Sequence, residues 1–369
     1  MKERAKQLIR YNEIKSFLER YERLLIPGML IVGVAADFIT FRSLNVNTAF
    51  TLLGVYAIIA AATIAFLNIY DENKPKIHSR FLGYLRLASP FIVQFTFGAL
   101  LSASLIFYWF SGAISVSWPF LVAIAFLMAS NDILREHYLK PVVQLSVFYF
   151  ILFSFFSLVL PFALNSIDAW IYVLSGAIAM VLIFFYLEML AYFLRFIRWE
   201  RTRVRILVII IFILMNLLYF LNIIPPIPLS LREAGVYHNL EHSGGNYILT
   251  DEARPLIDRL IPGTTLHIQP GEYIYLYSAI FAPPKLKATI VHEWQWFDES
   301  QGRWIKSNRS SFQLTGGREA GYRGYSWKTV LPEGRWRVSI ENERGQVLGR
   351  VRFKIQHVDE VIETKTILR

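Results

Sequence analysis

Two hydrophobic rhythms divide the chain. Up to Ile224 apolar residues run in long unbroken stretches, and after Thr264 they alternate with polar ones. A membrane-crossing helix needs about 20 mostly apolar residues, within a range of roughly 17–25. Seven segments meet that requirement: Leu24–Phe41, Phe50–Tyr70, Pro90–Phe110, Trp118–Leu134, Pro141–Leu164, Ala169–Leu190 and Ile206–Ile224. The first and fourth are short. Pro225, Pro226 and Pro228 are expected to stop the last helix, because proline lacks an amide hydrogen and disfavours helix in the residue before it.

The second rhythm predicts strands bounded by turn residues. They fall at Thr265–Gln269, Tyr273–Ile280, Leu286–Phe297, Ser311–Thr315, Tyr322–Leu331, Trp336–Glu341 and Val347–Gln356. Alternation is clean in the third, where Leu286, Ala288, Ile290, His292, Trp294 and Trp296 share one face. In the last strand Val347, Val351, Phe353 and Ile355 oppose Arg350, Arg352 and Lys354. About seven short strands in this space predict an all-β immunoglobulin-like sandwich. The fold class expected is therefore an α-helical polytopic membrane domain of about seven transmembrane helices, followed by that sandwich. The division predicted is an amphipathic helix within 1–23, a membrane domain over 24–224, and a Pro/Gly-containing linker over 225–263. A β-domain over 264–357 and a tail over 358–369 follow. The linker is expected to hold a short helix at Glu252–Leu260, capped by Thr250 or Asp251.

Charge adds direction. The formal net charge of +10 divides into +7 before Ser230 and +3 after it. Lys and Arg accumulate in cytoplasmic loops. The N-terminal segment, the loops after the second and fourth spans and the stretch Glu188–Arg205 carry almost all of them; the alternate loops hold only Arg42. This puts the N-terminus in the cytoplasm and, after an odd number of spans, the C-terminal half outside. Trp109, Trp118 and Trp170 fall at the predicted outer ends, where amphipathic rings favour the headgroup layer. Glu188–Arg205 is expected to lie along the inner surface. Cations spread over several cytoplasmic loops read as orientation and contact with anionic lipid rather than nucleic-acid binding. The N-terminus is not expected to be a cleaved signal peptide, since no small-residue site follows its first apolar run. The absence of cysteine removes disulfides, thiolate metal sites and cysteine nucleophiles.

Four ordered segments carry a resemblance. His292-x-Trp294, Gly321-Tyr322-Arg323-Gly324-Tyr325-Ser326-x-Lys328, Gly334-x-Trp336-Arg337-Val338 and Gly345-x-x-Leu348-Gly349 resemble the bacterial domain-of-unknown-function family DUF2914 over roughly 285–355. The membrane half, with its proline exit and the Leu231–Gly235 stretch, resembles the multi-spanning members that carry this domain at the C-terminus. The resemblance implies a bacterial inner-membrane protein and an architecture. It implies no activity.

Candidate chemistry is sparse. His238-Asn239-Leu240-Glu241-His242 has the H-x-x-E-H spacing of zinc peptidases, but that chemistry needs a rigid helix. Gly235, Gly244 and Gly245 leave no room for one, so a polar linker is the reading preferred. His292 beside Trp294 and Trp296 reads as a core histidine or as a recognition residue. Arg323, Tyr325, Ser326 and Lys328 are a cross-strand ladder or a site for an anionic or glycan ligand. With Trp336 these eight residues are the candidate partner-binding set. Asp37, Gln94 and Asn216 are the intramembrane polar candidates, since a polar group in a span is a functional suspect; the plainer readings are an interfacial pair of Asp37 with Arg42 and interhelical hydrogen bonds for Gln94 and Asn216. Acids near the inner ends, Asp71, Glu72, Asp132, Glu136 and Glu188, are expected to form a cytoplasmic ion-pair layer with Arg135, Arg195 and Arg198.

The function expected is non-enzymatic, without cofactor or metal. The membrane domain anchors or senses, and the periplasmic sandwich binds a protein or a cell-envelope glycan. A transporter or channel, and an envelope glycan- or lipid-modifying enzyme, are the alternatives.

Overall fold

A computed structural model describes Tyr21, Val32 and residues 46–73, 79–111, 114–133, 140–225, 228–252, 264–317, 321–359 and 362–369. The predicted N-terminal amphipathic helix, the first span with Asp37 and Arg42, and nearly all of the predicted helix Glu252–Leu260 lie outside the described residues. The chain forms two compact units. One holds 1–107, 119–161 and 168–220; the other holds 108–118, 162–167 and 221–369.

Six helices are described: α1 (Val46–Asn73), α2 (Arg80–Ser111), α3 (Ile114–Ile133), α4 (Pro141–Leu164), α5 (Ala169–Phe193) and α6 (Arg195–Phe220). All but α3 are long and apolar enough to cross a membrane by length and composition, and α3 holds a shorter apolar helix at Val116–Met128. Each satisfies its backbone internally, as a bilayer demands. Polar groups then join helix to helix: the Tyr186 hydroxyl of α5 donates to Ala61 O of α1 at 2.6 Å. The rings of Tyr172 and Tyr219 stack at 3.9 Å between α5 and α6.

Two helix boundaries differ from expectation. The stretch Glu188–Arg205 is helical apart from Leu194, an extended residue that separates α5 from α6. It contains no glycine or proline and is rich in Arg, which favours helix. α6 also ends at Phe220, ahead of the prolines, and Asn222 adopts φ 58. Asparagine tolerates the left-handed conformation that closes helices. Asp71 and Glu188 do form ion pairs, but with cations other than the Arg195 and Arg198 expected, and Arg135 lies outside the described residues. Arg86 grips Asp71 through two hydrogen bonds of 2.7 Å, and Glu188 pairs with Arg205 and Arg201. Glu72 accepts from the Arg195 backbone amide, and Arg198 turns to the Ala191 and Tyr192 carbonyls.

From Ser230 onward the described residues are all-β, with eleven strands: β1 (Ser230–Tyr237), β2 (Asn239–Ser243), β3 (Asn246–Glu252), β4 (Thr264–Ile268), β5 (Ile274–Phe281), β6 (Lys287–Asp298), β7 (Arg303–Thr315), β8 (Tyr322–Lys328), β9 (Gly334–Asn342), β10 (Val347–His357) and β11 (Thr364–Leu368). The strands expected after Thr264 are all present. Ser230–Glu252, expected as a polar connector, is instead three strands, and Glu252 ends β3 rather than starting a helix. The tail expected after 357 contributes β11.

Three sheets result, ordered β1-β5-β8, β4-β10-β9-β6-β7 and β11-β3-β2. The first two face each other across one core that holds Leu276 and Ile280 from β5, Ile290 and Trp294 from β6, Trp336 and Val338 from β9, and Phe353 from β10. Successive side chains of a strand point to opposite faces. The other face of β5 therefore presents Tyr277 and Ala279, which pack with Tyr237, Leu240 and Leu249 in a second core beneath the third sheet.

Candidate functional site

The eight candidate partner-binding residues separate by burial. His292, Trp294 and Trp336 are wholly enclosed, and Ser326 nearly so; Trp296 packs partly buried against the same core. His292 lies between the facing sheets. Its Nε2 is 2.9 Å from Ser278 Oγ on β5 and its Nδ1 is 2.9 Å from Ser326 Oγ on β8. Ser326 also accepts from Trp294 Nε1 at 3.0 Å. One proton arrangement satisfies the whole chain. Trp294 donates to Ser326, Ser326 donates to His292 Nδ1, and His292 Nε2–H donates to Ser278. Burial pushes the imidazole down to about 3, so it is neutral. This is a buried polar tie between two sheets, and its members are withdrawn from any exposed surface.

Of the remaining residues, Arg323 and Tyr325 border a different feature, while Lys328 lies on the Ser326 face of β8. Tyr325 and Trp327 alternate with the buried Gly324 and Ser326 along β8, the edge strand of its sheet, and so point away from the main core. Tyr325 lies opposite Tyr277 and Trp327 opposite Tyr275 in the pairing register. The third sheet covers one part of this face. Beyond its cover Tyr273, Tyr325 and Trp327 are 49%, 46% and 52% exposed. Trp327 meets Tyr273 edge-on at 5.4 Å, and Tyr325 meets Tyr247 at 6.4 Å. Arg323 donates to Gly245 O at 3.2 Å and lies over the Tyr247 ring, so it holds the rim of the strip in place. Lys328 lies 5.9 Å from the Trp336 ring. Large rings held by neighbouring rings can stack on a sugar or on a partner side chain without first losing much conformational freedom. Trp327 and Tyr273 were not singled out in the sequence. The signal was the alternation Tyr325-Ser326-Trp327 on a strand whose other face is core.

The H-x-x-E-H segment lies on strand rather than helix. His238 is buried, with Nε2 3.2 Å from Glu252 Oε1 and Nδ1 3.0 Å from Glu272 Oε1. Glu252 also accepts from the His267 amide at 2.6 Å and lies 3.3 Å from His267 Nδ1. With a carboxylate at each ring nitrogen, both nitrogens act as donors only when the imidazole is protonated. Burial works against that charge, but the two carboxylates outweigh it and hold His238 above its ordinary value. His242, the other end of the motif, rests against the Tyr247 ring at 4.9 Å. No group of three or more His, Cys, Asp or Glu is arranged to hold a metal among the described residues. The adjoining Gly244 and Gly245, at φ 58 and 82, form the two-residue turn between β2 and β3. That is a Gly-Gly hairpin signal visible in the sequence.

In the helical unit Gln94 is buried within α2, and Asn216 donates to Phe212 O of its own helix at 2.8 Å. The structure does not bring the two together with a third polar group into a described site.

No curated protein matches the chain. Among solved structures the chain is similar to a Pseudomonas fluorescens alkylpurine DNA glycosylase AlkC bound to DNA containing an abasic site analog. That match has 12% identity and covers 83% of this chain and 99% of that chain. Its TM-score is 0.24, a level that carries no argument about fold or activity. Residues 287–355, from the start of β6 into β10, match the model of the family described as a protein of unknown function, DUF2914.

Proposed function

We propose that the chain is a non-enzymatic bacterial inner-membrane protein whose periplasmic, immunoglobulin-like β-domain binds a protein or glycan partner. The exposed aromatic strip Tyr273-Tyr325-Trp327 carries the reading. Monomeric soluble surfaces scatter their large apolar residues singly, whereas grouped Trp and Tyr recur at the anchors of interfaces. In this reading the chain crosses the bilayer seven times, with Leu24–Phe41 as the first span and the N-terminus in the cytoplasm. One feature supports the orientation: Lys and Arg crowd alternate loops of the apolar half. Transport is the weaker reading, because Asn216 spends its amide on its own helix and no midplane ion pair occurs among the described residues.

Photo-crosslinking from position 327 in living cells tests the binding role. A discrete adduct that is lost in a Tyr273→Ala, Tyr325→Ala background is the expected result. No adduct from 327, with adducts from an opposite face, removes the proposal. A periplasm-only reporter fused after Arg369 is expected to be active and one fused after Arg86 silent; the reverse places the β unit in the cytoplasm.

A further inference from the structure

The outward face of the five-stranded sheet is built unlike the aromatic strip. Phe353 and Ile355 of β10 and Trp336 and Val338 of β9 point into the core. Strand alternation therefore turns Arg350, Arg352 and Lys354 of β10 outward together with Arg335 and Arg337 of β9. The register makes the arrangement sharper. Arg352 is the Cα partner of Arg337, and Lys354 is the partner of Arg335. Like charges directly opposite one another destabilise a sheet, yet this face holds two consecutive such pairs.

The β9 cations are fixed in place. Arg335 donates to both Glu299 oxygens, at 3.1 and 3.0 Å, and its guanidinium lies 3.9 Å over the Phe297 ring. Arg337 donates to Gln295 and lies 4.3 Å over the Trp304 ring. Among the described residues, Arg352 and Lys354 have no ion-pair or hydrogen-bond partner, and both are exposed. The crowding registers on the neighbours. Burial first, then Arg350 and Arg352, pushes Arg337 down to about 10, and burial and Arg352 pull Arg350 below its ordinary value.

We propose that this face binds a linear acidic polysaccharide, with Arg350, Arg352 and Lys354 reading successive anionic groups and Arg335 and Arg337 as a fixed second row. Side chains two residues apart on one strand are about 6.6–6.8 Å apart, so the three β10 cations form a regular row suited to a repeating anion. Two features favour this ligand over other polyanions. Phe297 and Trp304 are covered by guanidinium groups, which leaves no open ring for stacked bases. The large exposed apolar side chains of the β unit include Tyr273, Tyr325 and Trp327, on the other sheet, and none from the outward face of the five-stranded sheet, which gives a bilayer no anchor here. The site is separate from the aromatic strip and does not rest on it.

The test uses the full chain in detergent micelles and labelled polygalacturonate, with neutral dextran, a single-stranded oligonucleotide and phosphatidylglycerol vesicles as comparators. Polygalacturonate is expected to bind saturably, more weakly as salt rises, and about tenfold or more weaker to R352E/K354E. Trp327→Ala is expected to leave it unchanged, so loss of the strip's function and loss of this site are told apart. The charge reversal makes both like-charged pairs attractive, so the double variant is expected to melt at or above the wild-type temperature. Dextran binding equal to polygalacturonate, tighter binding of oligonucleotide or vesicles, unchanged affinity of R352E/K354E, or its melting well below wild type each overturns the proposal.

Discussion

His292 makes the stability of the β unit depend on pH in a calculable direction. Its folded-state pKa lies at about 3 against 6.5 for an ordinary histidine, because burial between two sheets disfavours the charge. A depressed pKa contributes stability that is present above 6.5 and is lost as pH falls toward the folded value. One unit of difference corresponds to about 1.36 kcal/mol. Between about pH 7 and pH 5 the unfolded chain gains the proton and the folded one does not, a loss of about 2 kcal/mol. Hydrogen exchange of the β6 amides in the full chain reads this as a loss of protection of about 30-fold, after correction for intrinsic rates. His292→Gln keeps a hydrogen-bonding side chain and removes the titration. It should flatten the pH slope by that amount whatever its own stability. Other titrating groups are common to both proteins and cancel in the difference. Equal slopes in the two proteins would refute the neutral, buried assignment.

His238 carries the opposite sign. Its raised pKa stabilises the fold below the ordinary histidine value and ceases to do so as pH rises through the folded value, so His238→Gln should reduce alkaline sensitivity in thermal melts; an unchanged profile counts against the two-carboxylate contact. Gly316→Ala should cost about 1–3 kcal/mol or more, because its Cβ would stand 1.8 Å from the Pro283 carbonyl oxygen while the Gly316 amide is held 2.9 Å from Leu286 O. An unchanged melting temperature would show that the turn relaxes. Asp71→Asn should cost less than about 1 kcal/mol, since the Arg86–Asp71 pair is 25% and 44% exposed. A loss of several kcal/mol in thermal unfolding would mean the pair is shielded from water.

The strands after Thr264 were legible because each has one buried face, which writes a period of two into the sequence. β1 through β3 were not. They pack beneath and beside a sheet already buried on its other side, so Ser230–Glu252 mixes Tyr, His and Glu with small residues and reads as a connector. Only Gly244-Gly245 announced a hairpin. The candidate set was similarly divided. His292 reads first as a core histidine, as the structure has it, but recognition stays open beside it because alternation assigns a face without saying whether that face meets another sheet.

The sequence by itself determined which stretches form long apolar helices, where the loop cations fall and where the strands after Thr264 lie. These are one-dimensional properties of period, run length and charge placement. Tertiary structure decided what no local pattern encodes. It stacked a third sheet on β5, withdrew His292, Trp294 and Ser326 from solvent while leaving Trp327 exposed, joined His238 to Glu252 and Glu272, and set Arg352 opposite Arg337. Each depends on which distant strands pair and in what register, and that is fixed by burying both faces of some strands and only one of others.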